Sequence, residues 1–261
     1  MDRLNILSRE EYKFLNDMKQ DCLIIGLAGS YSYGTETSKS DIDIRGIRYN
    51  SPETILGIKA PSFYKDNNTD TTIYDLNKVI PLLTAVNPNI IEILGLEPED
   101  YIYIDKYGYD LIENADMFLS KNKIRNAFGG YATAQLKKLE NTHMDKEHCC
   151  KHAMHLIRLL MTGRDILTSG KIKTKVNKKD LVTLVYIRHG FFYNENNPRK
   201  MTDQFYSYYE LLEEDFHKAY ELSNLPDEPN YDKIRDMLMS INYDTVLLKY
   251  EQLNQRKNKS S

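Results

Sequence analysis

Apolar residues are spaced in two ways along this chain, and the change from one to the other divides it. CLIIGLAG (22–29) is an unbroken apolar run closed by glycine, as expected of a strand buried on both faces. DIDIRGIRY (41–49) alternates instead, which turns Ile42 and Ile44 inward and sets Asp41 and Asp43 on one exposed face. A third strand is expected near TDTTIY (69–74), then a helix from Asp75 to about Val86, with Asp75 where an N-cap belongs. NPNIIEIL (87–94) starts another helix with Asn87 as cap and Pro88 in its first turn, and YIYID (101–105) reads as a short strand. The first 20 residues read as an amphipathic helix. From about residue 107 the apolar positions recur every three or four residues over 121–140, 146–168, 177–190, 202–222 and 231–254. The pattern predicts an α/β domain, residues 1–115, with a small mixed sheet and flanking helices, followed by a helical domain, residues 116–261.

At 261 residues, 41% hydrophobic and 28% charged, the chain is long enough for one large or two small folded domains. No stretch approaches the roughly 18 uncharged apolar residues of a membrane span, and the N-terminus lacks the apolar core of a signal peptide. No membrane partner and a cytoplasmic location are expected. Cys22 and the adjacent Cys149 and Cys150 form neither a disulfide framework nor a zinc spacing, so all three read as reduced thiols.

The net charge of −3 hides an uneven distribution. Residues 121–190 carry 15 Lys/Arg against 5 Asp/Glu, a basic block inside an otherwise acidic chain. Such a block is either a solvated face or an anion-binding surface. Within it, Lys151, His155 and Arg158 fall at i, i+4 and i+7, one face of a helix. That stripe suits a triphosphate, or is simply solvated, with His155 a core histidine. KIKTKVNKK (171–179) reads as a lysine-rich linker, a mobile solvated loop or a contact for an RNA backbone.

The stretch GSYSYGTETSKSDID (29–43) carries the chemistry. Two carboxylates side by side on a strand are costly unless positive charge neutralises them, and a divalent cation with oxygen ligands is the usual solution. Magnesium binds through one or two carboxylates plus substrate phosphates. Gly29-Ser30 lets the backbone approach those phosphates, with amides and the Ser30 hydroxyl as donors. Arg45 shares the exposed parity of the aspartates and reads as their ion-pair partner or a phosphate contact. Tyr31 and Tyr33, beside the loop, are candidates to stack on a base. A Walker loop and a Gly-x-Gly-x-x-Gly fingerprint are both absent, which argues against an ATPase or a dinucleotide-binding enzyme.

Gly-Ser followed by Asp-x-Asp resembles the nucleotidyltransferase superfamily of DNA polymerase β. GSYSYGTETSKSDIDIRGI, NPNIIEIL, YATAQL and KHAMHLIRLLMTGRDIL together are most similar to the predicted nucleotidyltransferases associated with bacterial and phage RNA repair. The resemblance implies a nucleotidyltransferase fold for the α/β domain. It implies two Mg²⁺ ions, or Mn²⁺ in their place, held by Asp41, Asp43 and a third acid, with a nucleoside triphosphate such as ATP as substrate. Asp70 is the third acid and base that this family pattern favours, with Asp75 as competitor. Gly29, Ser30, Lys151, His155 and Arg158 would hold the nucleotide, and Glu92, on the helix near the site, would be structural or would support the residues that touch the ligand. The implied acceptor is RNA, a tRNA end or a repaired break, with a protein hydroxyl or an aminoglycoside-like small molecule as alternatives, and a non-catalytic nucleotide- or RNA-binding module as the reading without turnover.

Overall fold

The apolar runs become the strands of one mixed five-stranded sheet. The computed structural model describes residues 4–142, 144–197 and 200–259. After a short helix α1 (Phe14–Met18), β1 (Cys22–Ala28) leads into a five-residue helix α2 (Gly29–Tyr33) and then β2 (Asp43–Arg48). A short α3 (Pro52–Ile55) precedes the β3 (Phe63–Asp66) and β4 (Thr71–Asp75) hairpin, followed by α4 (Leu76–Thr84), α5 (Pro88–Ile91), β5 (Tyr101–Ile104) and α6 (Lys106–Glu113). The strand order is β3-β4-β2-β1-β5. β2 runs parallel to β4, and the other neighbours are antiparallel.

β1 lies between β2 and β5 and is buried over almost its whole length, which is why its sequence reads as a continuous apolar run. On one face Ile6, Tyr12 and Leu15 pack on Ile25, Leu27, Ile44 and Ile73. On the other, Leu23, Ile24 and Ile47 join Leu76, Val79 and Leu83, and this core continues without a break into the helices that follow, through Leu156, Leu160 and Phe216. The architecture is thus an α/β N-terminal part followed by a long helical part, as the pattern predicts.

The helical part contains α7 (Lys121–Ile124), a π-helical turn over Arg125–Gly129, α8 (Gly130–Asn141), α9 (Lys146–Ser169), α10 (Lys178–Arg188), α11 (Asp203–Leu222) and α12 (Tyr231–Lys259). α9 is its axis, with α8, α10 and α11 packed around it. The Asp145 carboxylate caps α9 by accepting from the His148 amide at 2.9 Å. α12 returns to the α/β part, where Asn50 Nδ2 donates to Asn242 Oδ1 at 2.7 Å and Tyr107 donates to Asp244. Among the described residues, no helix is long and apolar enough to cross a membrane.

Several local expectations change. The N-terminal segment is not one helix but a series of 3-10 turns around α1, because Ile6, Tyr12 and Leu15 must all reach the sheet. β2 begins at Asp43 rather than Asp41. β3 has no apolar signature, since as an edge strand it is largely exposed. Asp75 does occupy the position before α4, but its side chain makes no cap. Its carboxylate instead accepts from Arg48 Nε at 2.7 Å and from the Ser62 amide at 2.6 Å.

Candidate active site

The sheet register brings three chain segments to one edge. Ala28, the last residue of β1, pairs with Asp43, the first of β2, and Ile44 pairs with Thr71, the first of β4. The residues that adjoin these strand ends are Gly29 and Asp70. Gly29 has φ +62°, a conformation that favours glycine, and a Cβ there would overlap Asp43 Oδ2. Glycine therefore does two things at this position: it turns the chain out of β1, and it seats the first turn of α2 against the Asp43 carboxylate. Amide groups of a first helical turn have no partner within their helix, and those of Gly29 and Ser30 open this turn beside that carboxylate. The Ser30 side chain is half-buried in the same turn.

Asp70 is held in an unusual left-handed conformation, φ +41°. Its carbonyl accepts from the Ile44 amide at 3.2 Å and from Arg45 Nη1 at 2.7 Å, which fixes the residue on β2. The Asp43 and Asp70 carboxyls lie within interacting distance of each other. Burial, then Asp70, push Asp43 up to about 6, while Asp43 holds Asp70 below the usual carboxylate range. The two carboxyls therefore titrate together rather than independently. Arg45 is the expected ion-pair partner, at 3.9 Å from Asp43 Oδ1 and 3.6 Å from Asp70 Oδ1. These are long separations, and one arginine only partly neutralises two carboxylates.

Asp75 lies at the far end of β4 from Asp70 and is engaged by Arg48 and Ser62, so of the two competitors Asp70 is the one beside Asp43. Asp41 is exposed and precedes the strand.

The cationic stripe on α9 runs from the surface into the core: Lys151 is exposed, His155 half-buried and Arg158 buried. Lys151 is near enough to Asp43 to lower its proton affinity. Arg158 is 1% exposed, and here the sequence expectation must be corrected. Its Nη1 donates to Glu92 Oε1 at 2.6 Å, and its guanidinium lies 3.6 Å from the centre of the Tyr33 ring. Tyr33 in turn donates to Glu92 Oε2 at 2.7 Å. The guanidinium is not open to a nucleotide, and the half-buried Tyr33 already has one ring face covered by it. Burial alone would work against the charge on Arg158, but Glu92 and Tyr33 more than offset it. His155 Nδ1 sits 3.3 Å from Arg158 Nη2, and burial, followed by the arginine's charge, pushes this imidazole down to about 3. Thr174 closes the cluster, donating to the Glu92 carbonyl at 2.6 Å. A small cavity lined by Ala28, Ser32, Arg45, Asn89 and Glu92 touches both charged clusters.

The family model for the RNA repair pathway DNA polymerase beta family matches residues 11–240. The chain belongs to that family. No curated protein matches it. A nucleotidyltransferase-like protein from Exiguobacterium sibiricum 255-15 is similar at 10% identity, over 79% of this chain and 73% of that one, with a TM-score of 0.32. So distant a likeness carries no argument about the site.

For a polymerase β family member the relevant question is whether the site suits a divalent cation. Among the described residues, no three His, Cys, Asp or Glu side chains are gathered closely enough to hold a metal ion. What the structure does gather is the Asp43–Asp70 pair, two hard oxygen donors whose mutual repulsion a cation would relieve. Holding Mg²⁺ needs only one or two carboxylates, the remaining positions being filled by water and phosphate. The residues fit such an ion on those terms. Sequence reasoning placed Glu92 as structural but missed its partnership with Arg158, because 66 residues separate them and no local pattern records the pairing.

Proposed function

We propose that this protein is a metal-dependent nucleotidyltransferase that moves a nucleoside monophosphate from a nucleoside triphosphate to a hydroxyl group on RNA, at a tRNA end or a break under repair. The observation that carries this reading is the Asp43–Asp70 carboxyl pair beside the Gly29 turn, in a chain of the RNA repair polymerase β family. Residues 1–115 would supply the pair and the loop, and residues 116–261 would bring Lys151 over the same cleft.

In this reading the amides of the first turn of α2 and the Ser30 hydroxyl hold triphosphate oxygens, and Lys151 adds a point charge opposite them. Asp43 and Asp70 would hold Mg²⁺ or Mn²⁺, with Asp41 free to swing in from the preceding loop. When bound, the ions supply charge stabilisation for the attacking oxygen and the leaving pyrophosphate. The acceptor hydroxyl attacks the α-phosphorus in line. A new phosphorus–oxygen bond forms, the bond to the β-phosphate oxygen breaks, and pyrophosphate leaves with the electron pair. The hydroxyl proton would pass to Asp70, the base that the family pattern favours.

The test is to incubate the protein with each α-labelled nucleoside triphosphate, Mg²⁺ and cellular RNA, beside an Asp43→Asn variant. Label should enter RNA with the parent and not with the variant. Label on a lysate protein or a small molecule instead would keep the chemistry and replace the acceptor. Absence of transfer to any acceptor, with nucleotide binding unchanged in the variant, would replace this reading with a binding module.

A further inference from the structure

The lysine-rich linker between α9 and α10 is not the loose loop that its composition suggests. Thr174 is 2% exposed, its amide donates to the Gly95 carbonyl at 2.9 Å and its hydroxyl to the Glu92 carbonyl at 2.6 Å. Two residues on either side, the chain is held again. Ile172 is pressed on Gly95, where a Cβ would come within 2.6 Å of the Ile172 carbonyl oxygen, and the Val176 amide donates to the Tyr33 carbonyl at 3.1 Å. Inward positions 172, 174 and 176 alternate with exposed positions 171, 173 and 175, as in a strand, although the segment joins no sheet. Those exposed positions are all lysine.

Among the described residues, Lys171 and Lys173 have no acidic partner. Lys175 has one, Glu99 Oε1 at 3.6 Å, with both side chains more than 40% exposed, a pairing that solvent and salt weaken. Alternate positions along an extended chain are about 6.6 Å apart, which is the order of the separation between neighbouring phosphates of an extended nucleic-acid strand. The anchoring also removes a cost, because a segment already ordered loses little entropy when a ligand settles on it. The row points toward the site. The stem of Lys175 lies over Gly34 at the end of α2, so it stands one five-residue helix, about 7.5 Å, from the Gly29 turn against Asp43. Beyond Lys175 along the chain, Lys178 and Lys179 continue the charge into the exposed first turn of α10.

We propose that Lys171, Lys173 and Lys175 form a fixed track for the phosphate backbone of a single-stranded RNA acceptor, leading its end toward the Asp43–Asp70 pair. The proposal rests on the transferase reading for the purpose of the track, but the binding it asserts needs no turnover. A single line of charges matches one strand rather than the two backbones of a duplex.

The experiment measures binding of a fluorescently labelled single-stranded RNA oligonucleotide by anisotropy, without nucleotide, over a range of salt concentrations. It compares the parent with a Lys171→Glu/Lys173→Glu variant and, as a charge-matched control, with Lys233→Glu/Lys249→Glu at two exposed positions of α12. The track variant should bind RNA at least about tenfold more weakly at low salt, and the slope of log K against log salt should fall by about 1.4, for two phosphate contacts on a single strand. Thermal melting should be unchanged, and the α12 control should match the parent. Equal affinity and slope in the track variant, or a parent that binds no RNA, would overturn the track. Failure of the transferase reading is separately visible: the parent would then transfer no label, while lysine-dependent RNA binding would remain.

Discussion

Glu92 and Arg158 face each other inside the protein at 2.6 Å, with Tyr33, His155 and Thr174 arranged around them. Asp43 and Asp70 face each other at the edge of the sheet, with one arginine at 3.6–3.9 Å. The two clusters lie at opposite ends of α2: Gly29 touches Asp43 and Tyr33 touches Glu92. In the buried cluster charge is balanced and the geometry is tight, which is what a low-dielectric interior demands. In the open cluster two carboxyls share one incomplete counter-charge, an arrangement that costs stability and that a cation would relieve. The closed one holds α2 in place against the helical part, and the open one is where the proposed reading puts the ligand.

The largest effect that separates them should be on turnover. Asp43→Asn should lower nucleotide transfer by on the order of 10³-fold or more, measured as label incorporated in a single turnover. The next is on stability: Glu92→Ala leaves the Arg158 charge buried without its partner and should cost about 3–5 kcal/mol, a melting temperature lower by roughly 6–20 °C. A Glu92→Leu/Arg158→Met double variant should recover part of that loss, since no charge then remains buried. Smaller again is Gly29→Ala, which combines an unfavourable φ with a clash on Asp43 and should destabilise by roughly 1–3 kcal/mol while disturbing the site.

The subtlest difference is in pH dependence. Asp43 holds its proton more tightly in the folded chain, up to about 6 from 3.8, so the stability tied to that proton is complete below about pH 3.8 and is lost as pH rises through 6. Asp43→Asn, without metal, should therefore melt above the parent at pH 8 and level with it near pH 4. His155 works in the opposite direction. Its affinity for a proton is lowered from 6.5 to about 3 by burial and by Arg158, so its contribution is complete above 6.5 and is lost as pH falls toward 3. His155→Asn should flatten the acid side of the stability profile. A gap between Asp43→Asn and the parent that is constant with pH would mean that the carboxyl pair is not strained.

How much of this was legible in the sequence follows the range of the interactions concerned. The run 22–29 and the alternation around Ile42 and Ile44 announced β1 and β2, because strand periodicity is local. Gly29 and Asp43 could be marked for the same reason, and Asp70 by family resemblance to a neighbouring strand. Arg158 could not be placed. The helical spacing of Lys151, His155 and Arg158 gave one face of α9 correctly, but not that this face enters the core at one end and the cleft at the other. The linker misled for a related reason: five lysines in nine residues mask the single buried threonine that pins it.

The measurement that tests the division most directly is paired: single-turnover label transfer and thermal melting, both at pH 8, for Asp43→Asn and Glu92→Gln, with transfer assayed at a temperature where each remains folded. The account predicts that Asp43→Asn loses transfer while melting at or above the parent, and that Glu92→Gln melts lower while keeping most of its turnover. Transfer that survives in Asp43→Asn but vanishes in folded Glu92→Gln would contradict it, and would move the chemistry from the edge of the sheet to the buried cluster.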